Sequence, residues 1–136
     1  SHINDQYRSV AGARRFLTNI VQYPGCGAFQ PQASWLAWNR NTGKLCAMSL
    51  ASLVAYDAGH VTQICVGPKE RRHGYGTQVL LKSLRSLVNA ECRQASLTVT
   101  ASNRGAIALY ETLGFVIRRR FAAMVWEGFR PARRFF

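Results

Sequence analysis

The residues 66–76, Val66-Gly67-Pro68-Lys69-Glu70-Arg71-Arg72-His73-Gly74-Tyr75-Gly76, have the makings of an anion cradle. Gly74 and Gly76 allow backbone to approach a ligand closely. Amides at the start of a helix following them would point outward unpaired, and the helix dipole favours negative charge there. Lys69, Arg71 and Arg72 add positive charge. The chemistry this suits is holding a diphosphate, mainly by backbone. A plain glycine-softened turn from strand to helix accounts for the two glycines equally well. The G-x-x-x-x-G-K-[ST] loop of nucleoside triphosphatases is absent, as is a G-x-G-x-x-G with an acid ~20 residues on. A short way upstream stands His60, which reads as a strand-end histidine facing solvent.

The elements that must carry these residues follow from hydrophobic period. Val10, Ala13, Phe16, Leu17, Ile20 and Val21 predict a helix over 7–22. Tyr23-Pro24-Gly25-Cys26-Gly27 breaks it, and a loop continues through Pro31. Strands are expected at 34–38 and 45–54, joined by Asn39-Arg40-Asn41-Thr42-Gly43, and a third at 60–66 after Asp57-Ala58-Gly59. Thr77, Leu80, Leu81, Leu84 and Val88 fall on one face of a helix over 74–89. A strand at 95–100 precedes a helix at 104–112, capped by Asn103 and stopped by Gly114. Two closing strands are expected at 115–119 and 121–126. The order is that of an α/β or α+β layered fold with a mixed sheet.

A chain of 136 residues with 48% apolar composition can bury one core, so a single domain over 1–136 is expected, with 128–136 a basic tail. No apolar run of ~18 residues suggests a membrane span. No basic segment followed by an apolar one opens the chain, so a cytoplasmic protein is expected. Cys26, Cys46, Cys65 and Cys92 form no C-x-x-C pair and have no histidine at ligand spacing. They read as reduced thiols, with no metal site expected. The net charge is +12, of which +9 lies in residues 61–136, and 15 of the 18 cations are arginine. Arginine binds phosphate and carboxylate through a planar fork. Phosphorylated cofactors, polyanions and an acidic partner are all open. Nucleic acid is disfavoured, because no aromatics interleave the basic residues and no helix-turn-helix or zinc pattern occurs.

A second motif narrows these options. Residues 98–115 read as strand, capped helix and glycine stop. Val66, Pro68, Arg71, Gly74 and Gly76 match V-x-P-x-x-[QR]-x-x-G-x-G, and Asn103, Ala106, Leu109, Tyr110, Gly114 and Phe115 match N-x-x-A-x-x-[LF]-Y-x-x-x-G-F. In that order and separation, the two segments resemble the GNAT superfamily of acetyl-CoA-dependent N-acetyltransferases, over residues 33–127. The resemblance implies a mixed, mostly antiparallel sheet with helices on both faces. It also implies a V-shaped splay between the strands at 60–66 and 95–100.

By that resemblance, acetyl-CoA enters the splay. The backbone of Ile64, Cys65 and Val66 pairs with its pantetheine arm, and one of those amides polarises the thioester carbonyl. Amides from Arg71, Arg72, His73, Gly74, Tyr75 and Gly76 hold the diphosphate, with Thr77 beside it. Asn103 contacts the cofactor or fixes its helix, and Tyr110 stands near the sulfur. A primary amine attacks only when neutral, the oxyanion needs a donor, and the thiolate needs a proton. Tyr110 is the candidate acid, or alternatively packs its helix onto the sheet. His60 occupies the position of the glutamate base in some members. Thr98 occupies that of the glutamate in ribosomal-protein N-terminal acetyltransferases and cannot act as a base. Solvent itself is a further candidate for the proton. Gln63, under alternation, is expected to share a face with neither His60 nor Cys65, and to bind substrate or position water.

Members of the family begin with a strand and usually a second helix, whereas one helix is expected here before the hairpin. Either an excised C-terminal domain of a longer protein or a short variant is implied, with pairing into a homodimer or docking to a missing N-terminal domain open. The expected function is acetyl transfer to a protein N-terminus or a small amine. The alternative is a catalytically weak CoA-binding sensing or regulatory domain of a larger protein.

Overall fold

The computed structural model describes residues 9–22, 27–71 and 73–120, and the strand backbone at Met124–Val125 and Arg134–Phe135. Expectations for Arg72, Cys26, residues 7–8 and most of the 121–136 segment lie outside the described residues. The chain divides into two compact units, residues 9–98 and a second comprising 1–8 with 99–136.

The first unit holds α1 (Val10–Gln22), β1 (Ala28–Phe29), β2 (Trp35–Trp38), β3 (Leu45–Ala55), β4 (Ala58–Val66), α2 (Tyr75–Asn89) and β5 (Gln94–Leu97). Its sheet is mixed and mostly antiparallel. β1 and β2 both pair antiparallel with β3, β3 pairs antiparallel with β4, and β4 pairs parallel with β5. The two-residue β1 was expected to be loop. Its residues pair with Ser52 and Leu53, and a 3-10 turn at Pro31–Ala33 carries the chain along the same edge to β2. The hairpin turn follows its composition. Asn39 Oδ1 accepts from the amides of Asn41 (2.8 Å) and Thr42 (3.1 Å), and Gly43 supplies the left-handed residue at φ +69°.

α2 packs against β2, β3 and β4. Its buried stripe is Val79, Leu80, Ser83 and Leu87. Leu81 and Val88, expected on the inner face, are exposed. Hydrogen bonds explain the rotation. Ser83 Oγ donates to buried Ser49 Oγ at 2.8 Å, and Trp35 Nε1 donates to Ser86 Oγ at 3.0 Å. Leu87 packs with Ala33 and Ala51, with Leu53, Cys92 and Ala95 around them. Fully burying such a leucine is worth about 1.5–3 kcal/mol.

The second unit holds α3 (Arg104–Thr112) and a two-stranded ladder, β6 (Met124–Val125) with β7 (Arg134–Phe135). Two expectations are corrected here. The segment 115–119 is not a strand: no strand pairs with it among the described residues, and Val116 and Arg118-Arg119-Arg120 are exposed. The basic tail contributes β7. The strand expected at 95–100 also ends early, at Leu97.

Candidate active site

The short β5 shapes the first unit's site. β4 and β5 pair from Ala58/Gln94 to Val61/Leu97 and then part. Beyond Val61, β4 keeps β3 as its sole strand partner among the described residues. Gly67 N–H donates to the Cys46 carbonyl at 2.8 Å, and the register runs Ala47↔Val66, Met48↔Cys65, Ser49↔Ile64. Antiparallel pairs alternate between bonded and non-bonded. Cys65 therefore turns its backbone groups to β3, while Ile64 and Val66 turn theirs outward, to the side β5 has left. Of the three residues expected to offer backbone to a pantetheine arm, Ile64 and Val66 are so oriented and Cys65 is not.

A bulge sits in the same strand. The register shifts between Leu50↔Gln63 and Ala51↔Val61, leaving Thr62 extra, its hydroxyl donating to the Leu50 carbonyl at 3.2 Å. Before the bulge, position 59 faces α2, since a Cβ on Gly59 would lie 2.6 Å from Leu87 Cδ1. After it, Ile64 and Val66 face α2. Thr62 thus flips the alternation, and His60, Gln63 and Cys65 all face away from α2. Gln63 shares a face with both residues from which it was expected to be separate: with Cys65 by the two-residue period itself, and with His60 because of the bulge. Its Nε2 lies 3.2 Å from Cys65 Sγ, two positions on along the same strand face. On that face His60 stands between Ser52 of β3 and Ser96 of β5, each directly opposite in register. His60 Nδ1 and Ser96 Oγ are 2.8 Å apart. Burial lowers the His60 pKa below its ordinary 6.5, so the ring is neutral at pH 7.

After Val66 the chain passes through a 3-10 turn at Pro68–Glu70 into α2. Gly74 is the N-cap, left-handed at φ +78° and with no side-chain cap. An added Cβ at Gly74 would meet nothing within 4 Å, whereas one at Gly76 would meet Val66 Cγ2 at 2.9 Å. The two glycines therefore do different things. Gly74 makes the turn and leaves space in front of the helix amides. Gly76 lets the first turn of α2 lie on β4, a role in packing rather than in ligand approach. Arg71 and His73 are exposed, Tyr75, Gly76 and Thr77 half-buried, and the His73 and Tyr75 rings lie 5.7 Å apart.

In the second unit, Asn103 Oδ1 accepts from Ala106 N–H at 3.2 Å, which makes it the N-cap of α3. The far end of α3 is a Schellman motif. Phe115 N–H donates to the Tyr110 carbonyl and Gly114 N–H to that of Glu111, both at 3.0 Å, with Gly114 at φ +105°. The Tyr110 and Phe115 rings meet edge to face at 6.0 Å, the apolar contact that goes with this stop. Burial raises the Tyr110 pKa above 10.0, keeping the phenol protonated. Its hydroxyl makes no hydrogen bond among the described residues. Ser96 and the Thr62 bulge were missed in the sequence. A serine between apolar strand residues carries no signal until its strand is placed beside His60.

The Acetyltransferase (GNAT) family profile matches residues 3–115. The chain belongs to this family. Human N-alpha-acetyltransferase 30 (Homo sapiens) is 36% identical over 62 residues, 46% of this chain and 17% of that protein. The [Ribosomal protein bS18]-alanine N-acetyltransferase of Escherichia coli K12 is 37% identical over 82 residues, 58% of this chain and 55% of that one. The chain thus spans about half or less of the length of these curated relatives. A GNAT acetyltransferase from Elizabethkingia anophelis with acetyl-CoA bound superposes with TM-score 0.62 at 18% identity, over 82% of this chain and 63% of that one. That likeness concerns the fold, which is the GNAT arrangement of helices on a mixed sheet with β4 and β5 splayed. No helix among the described residues is long and apolar enough to cross a membrane.

Proposed function

We propose that this chain transfers acetyl from acetyl-CoA to a primary amine, with an α-amino group on a peptide or protein favoured over a small amine. One observation carries the reading: β4 leaves β5 at Val61, turns the backbone of Ile64 and Val66 outward, and leads through left-handed Gly74 into an uncapped helix start. This suits an extended amide-bearing arm ending in a diphosphate, which is the form of CoA. The preference for a peptide acceptor rests on the names of the two curated relatives. Bound acetyl-CoA supplies the activated acyl group.

The chain's own groups divide the remaining work. His60, neutral at pH 7, takes the proton of the acceptor ammonium, directly or through water. An outward amide of Ile64 or Val66 donates to the developing oxyanion. Tyr110 protonates the departing thiolate. Amides from Arg71 to Gly76, with Thr77 beside them and Arg72 in the same run, hold the diphosphate through backbone and the helix dipole. Asn103 caps α3 through its side-chain oxygen, and its side-chain nitrogen, which makes no hydrogen bond among the described residues, contacts the cofactor.

The test is calorimetric titration with acetyl-CoA on wild type and Gly74→Asp, followed by thiol release with peptides bearing free or blocked α-amino groups. Gly74 is chosen because an added Cβ there meets nothing within 4 Å, and aspartate is among the residues that visit its left-handed conformation. Binding that Gly74→Asp weakens at least ten-fold, with thiol release only from free-amine peptides, is expected. Tyr110→Phe retains the ring contact with Phe115, so it should lower kcat ten- to a hundred-fold and leave CoA affinity alone. Tight binding with no thiol release from any amine would instead favour a CoA-sensing domain, a reading prompted by His60 standing where other members carry a carboxylate. Failure of the folded chain to bind acetyl-CoA would overturn the proposal.

A further inference from the structure

The face of β4 turned away from α2 carries three side chains in line across three strands: Ser52 on β3, His60 on β4 and Ser96 on β5. Ser52 is wholly buried, and its hydroxyl has no partner among the described residues. Ser96 is exposed, so the His60–Ser96 pair opens to solvent. Nδ1 is the ring nitrogen that Ser96 engages, at 2.8 Å, and Nε2 makes no hydrogen bond among the described residues.

We infer that Ser96 is a positioning residue for His60: its Oγ accepts the Nδ1–H, holding the imidazole in the tautomer whose Nε2 carries the lone pair. This deepens, and rests on, the acetyltransferase reading. A neutral imidazole has one donor nitrogen and one acceptor nitrogen, and the partner of one sets the role of the other. With Nδ1 as donor, Nε2 takes the ammonium proton. The ring then bears both hydrogens as imidazolium, and Ser96 Oγ still accepts at Nδ1. The free amine attacks the thioester carbonyl, the C–N bond forms and the C–S bond breaks, Tyr110 gives its proton to the leaving CoA thiolate, and the new amide nitrogen loses its second proton to solvent, from which Tyr110 is restored. His60 afterwards gives its Nε2 proton to water. No rearrangement is needed between the two states of the ring.

The choice of a hydroxyl over a carboxylate has a consequence. A carboxylate at this position would favour imidazolium and hold the ring charged. The serine orients the ring without adding charge. The residues facing His60 across the sheet, Ser52 and Ser96, are neutral, and Gln63 and Cys65 share its face. Lys82 and Arg85 belong to α2 on the opposite face, and Asp57 and Arg93 lie just before β4 and β5. The imidazole therefore remains an uncharged base at physiological pH.

The experiment is 15N-resolved NMR of the histidine rings in the ligand-free full chain, across pH, for wild type, Ser96→Ala, Ser96→Thr and Ser52→Ala. His60→Gln identifies the signal. Thiol release from acetyl-CoA with a free-amine peptide is followed in parallel. Wild type should show His60 as the Nδ1–H tautomer. Ser96→Ala should shift it toward Nε2–H and lower kcat on the order of ten-fold with the KM for acetyl-CoA unchanged. Ser96→Thr should restore both, and Ser52→Ala should leave the ring signals in place. An Nε2–H ring in wild type, or an unchanged tautomer and kcat in Ser96→Ala, overturns the inference. An Nδ1–H ring that depends on Ser96, in a chain that transfers nothing, upholds the anchoring of the ring and removes the acetyltransferase reading instead.

Discussion

His60 shows how much of a residue's chemistry its neighbours decide. Its type and place before the glycine loop could be read from the sequence; its partner, face and protonation could not. Strict alternation separates His60 from Gln63, and the extra Thr62 reunites them on one face with Cys65. Burial depresses the His60 pKa, which has a consequence for stability with a definite sign. An unfolded chain protonates this ring at about 6.5, the folded chain only at lower pH. Between those two values the unfolded state binds more protons, so stability is lost as pH falls through 6.5. Chemical denaturation between pH 7.5 and 5 should therefore show a falling midpoint for wild type and a flatter one for His60→Gln. Parallel curves for the two proteins would refute a neutral, half-buried His60. Tyr110 teaches the complement. Its spacing to Gly114 and Phe115 is fully explained by a Schellman stop, so the motif predicts a helix end with certainty of mechanism, and the phenol's chemistry is a separate matter.

Among the elements, the join of β4 to α2 carries the functional argument, and its two glycines can be separated by experiment. At Gly74 the constraint is backbone conformation, φ +78° with open space beyond. A left-handed alanine there costs roughly 1–2 kcal/mol. At Gly76 the constraint is contact, since a methyl would press on Val66 Cγ2 at 2.9 Å. Overpacking of this kind costs about 1–3 kcal/mol. Denaturation of Gly76→Ala should show that loss, and adding Val66→Ala should recover part of it. The same Val66→Ala added to Gly74→Ala should recover nothing. Equal response of both glycine variants to the second change would mean that the close approach of helix and strand has been misread. Strand ends were the least legible feature. Ala95-Ser96-Leu97-Thr98-Val99-Thr100 has uniform strand chemistry, yet pairing stops at Leu97 because β4 and β5 diverge. The segment 115–119 has strand composition and no ladder partner among the described residues.

For the whole molecule, charge is the property that acts at a distance. Net charge is +12, concentrated in the second half of the chain. Screening lengths near 8 Å at physiological salt make such a field sensitive to ionic strength. The affinity for CoA should therefore fall several-fold between 0.05 and 0.5 M salt, while that for pantetheine, which lacks the phosphates, should barely change. Equal salt slopes for the two ligands would remove electrostatics from cofactor binding. The sequence by itself determined the order of α1, β2, β3, β4, α2, β5 and α3, the glycine turn into α2, the capping of α3 and the family. Each of these depends on local period, on glycine conformation or on capping, which act within a few residues. Tertiary structure alone decided where β5 ends, which face His60 shares, that Ser96 meets its ring and that Gly76 serves packing. Those depend on which strand lies beside which and in what register, and a single bulged residue changes the answer for every side chain after it.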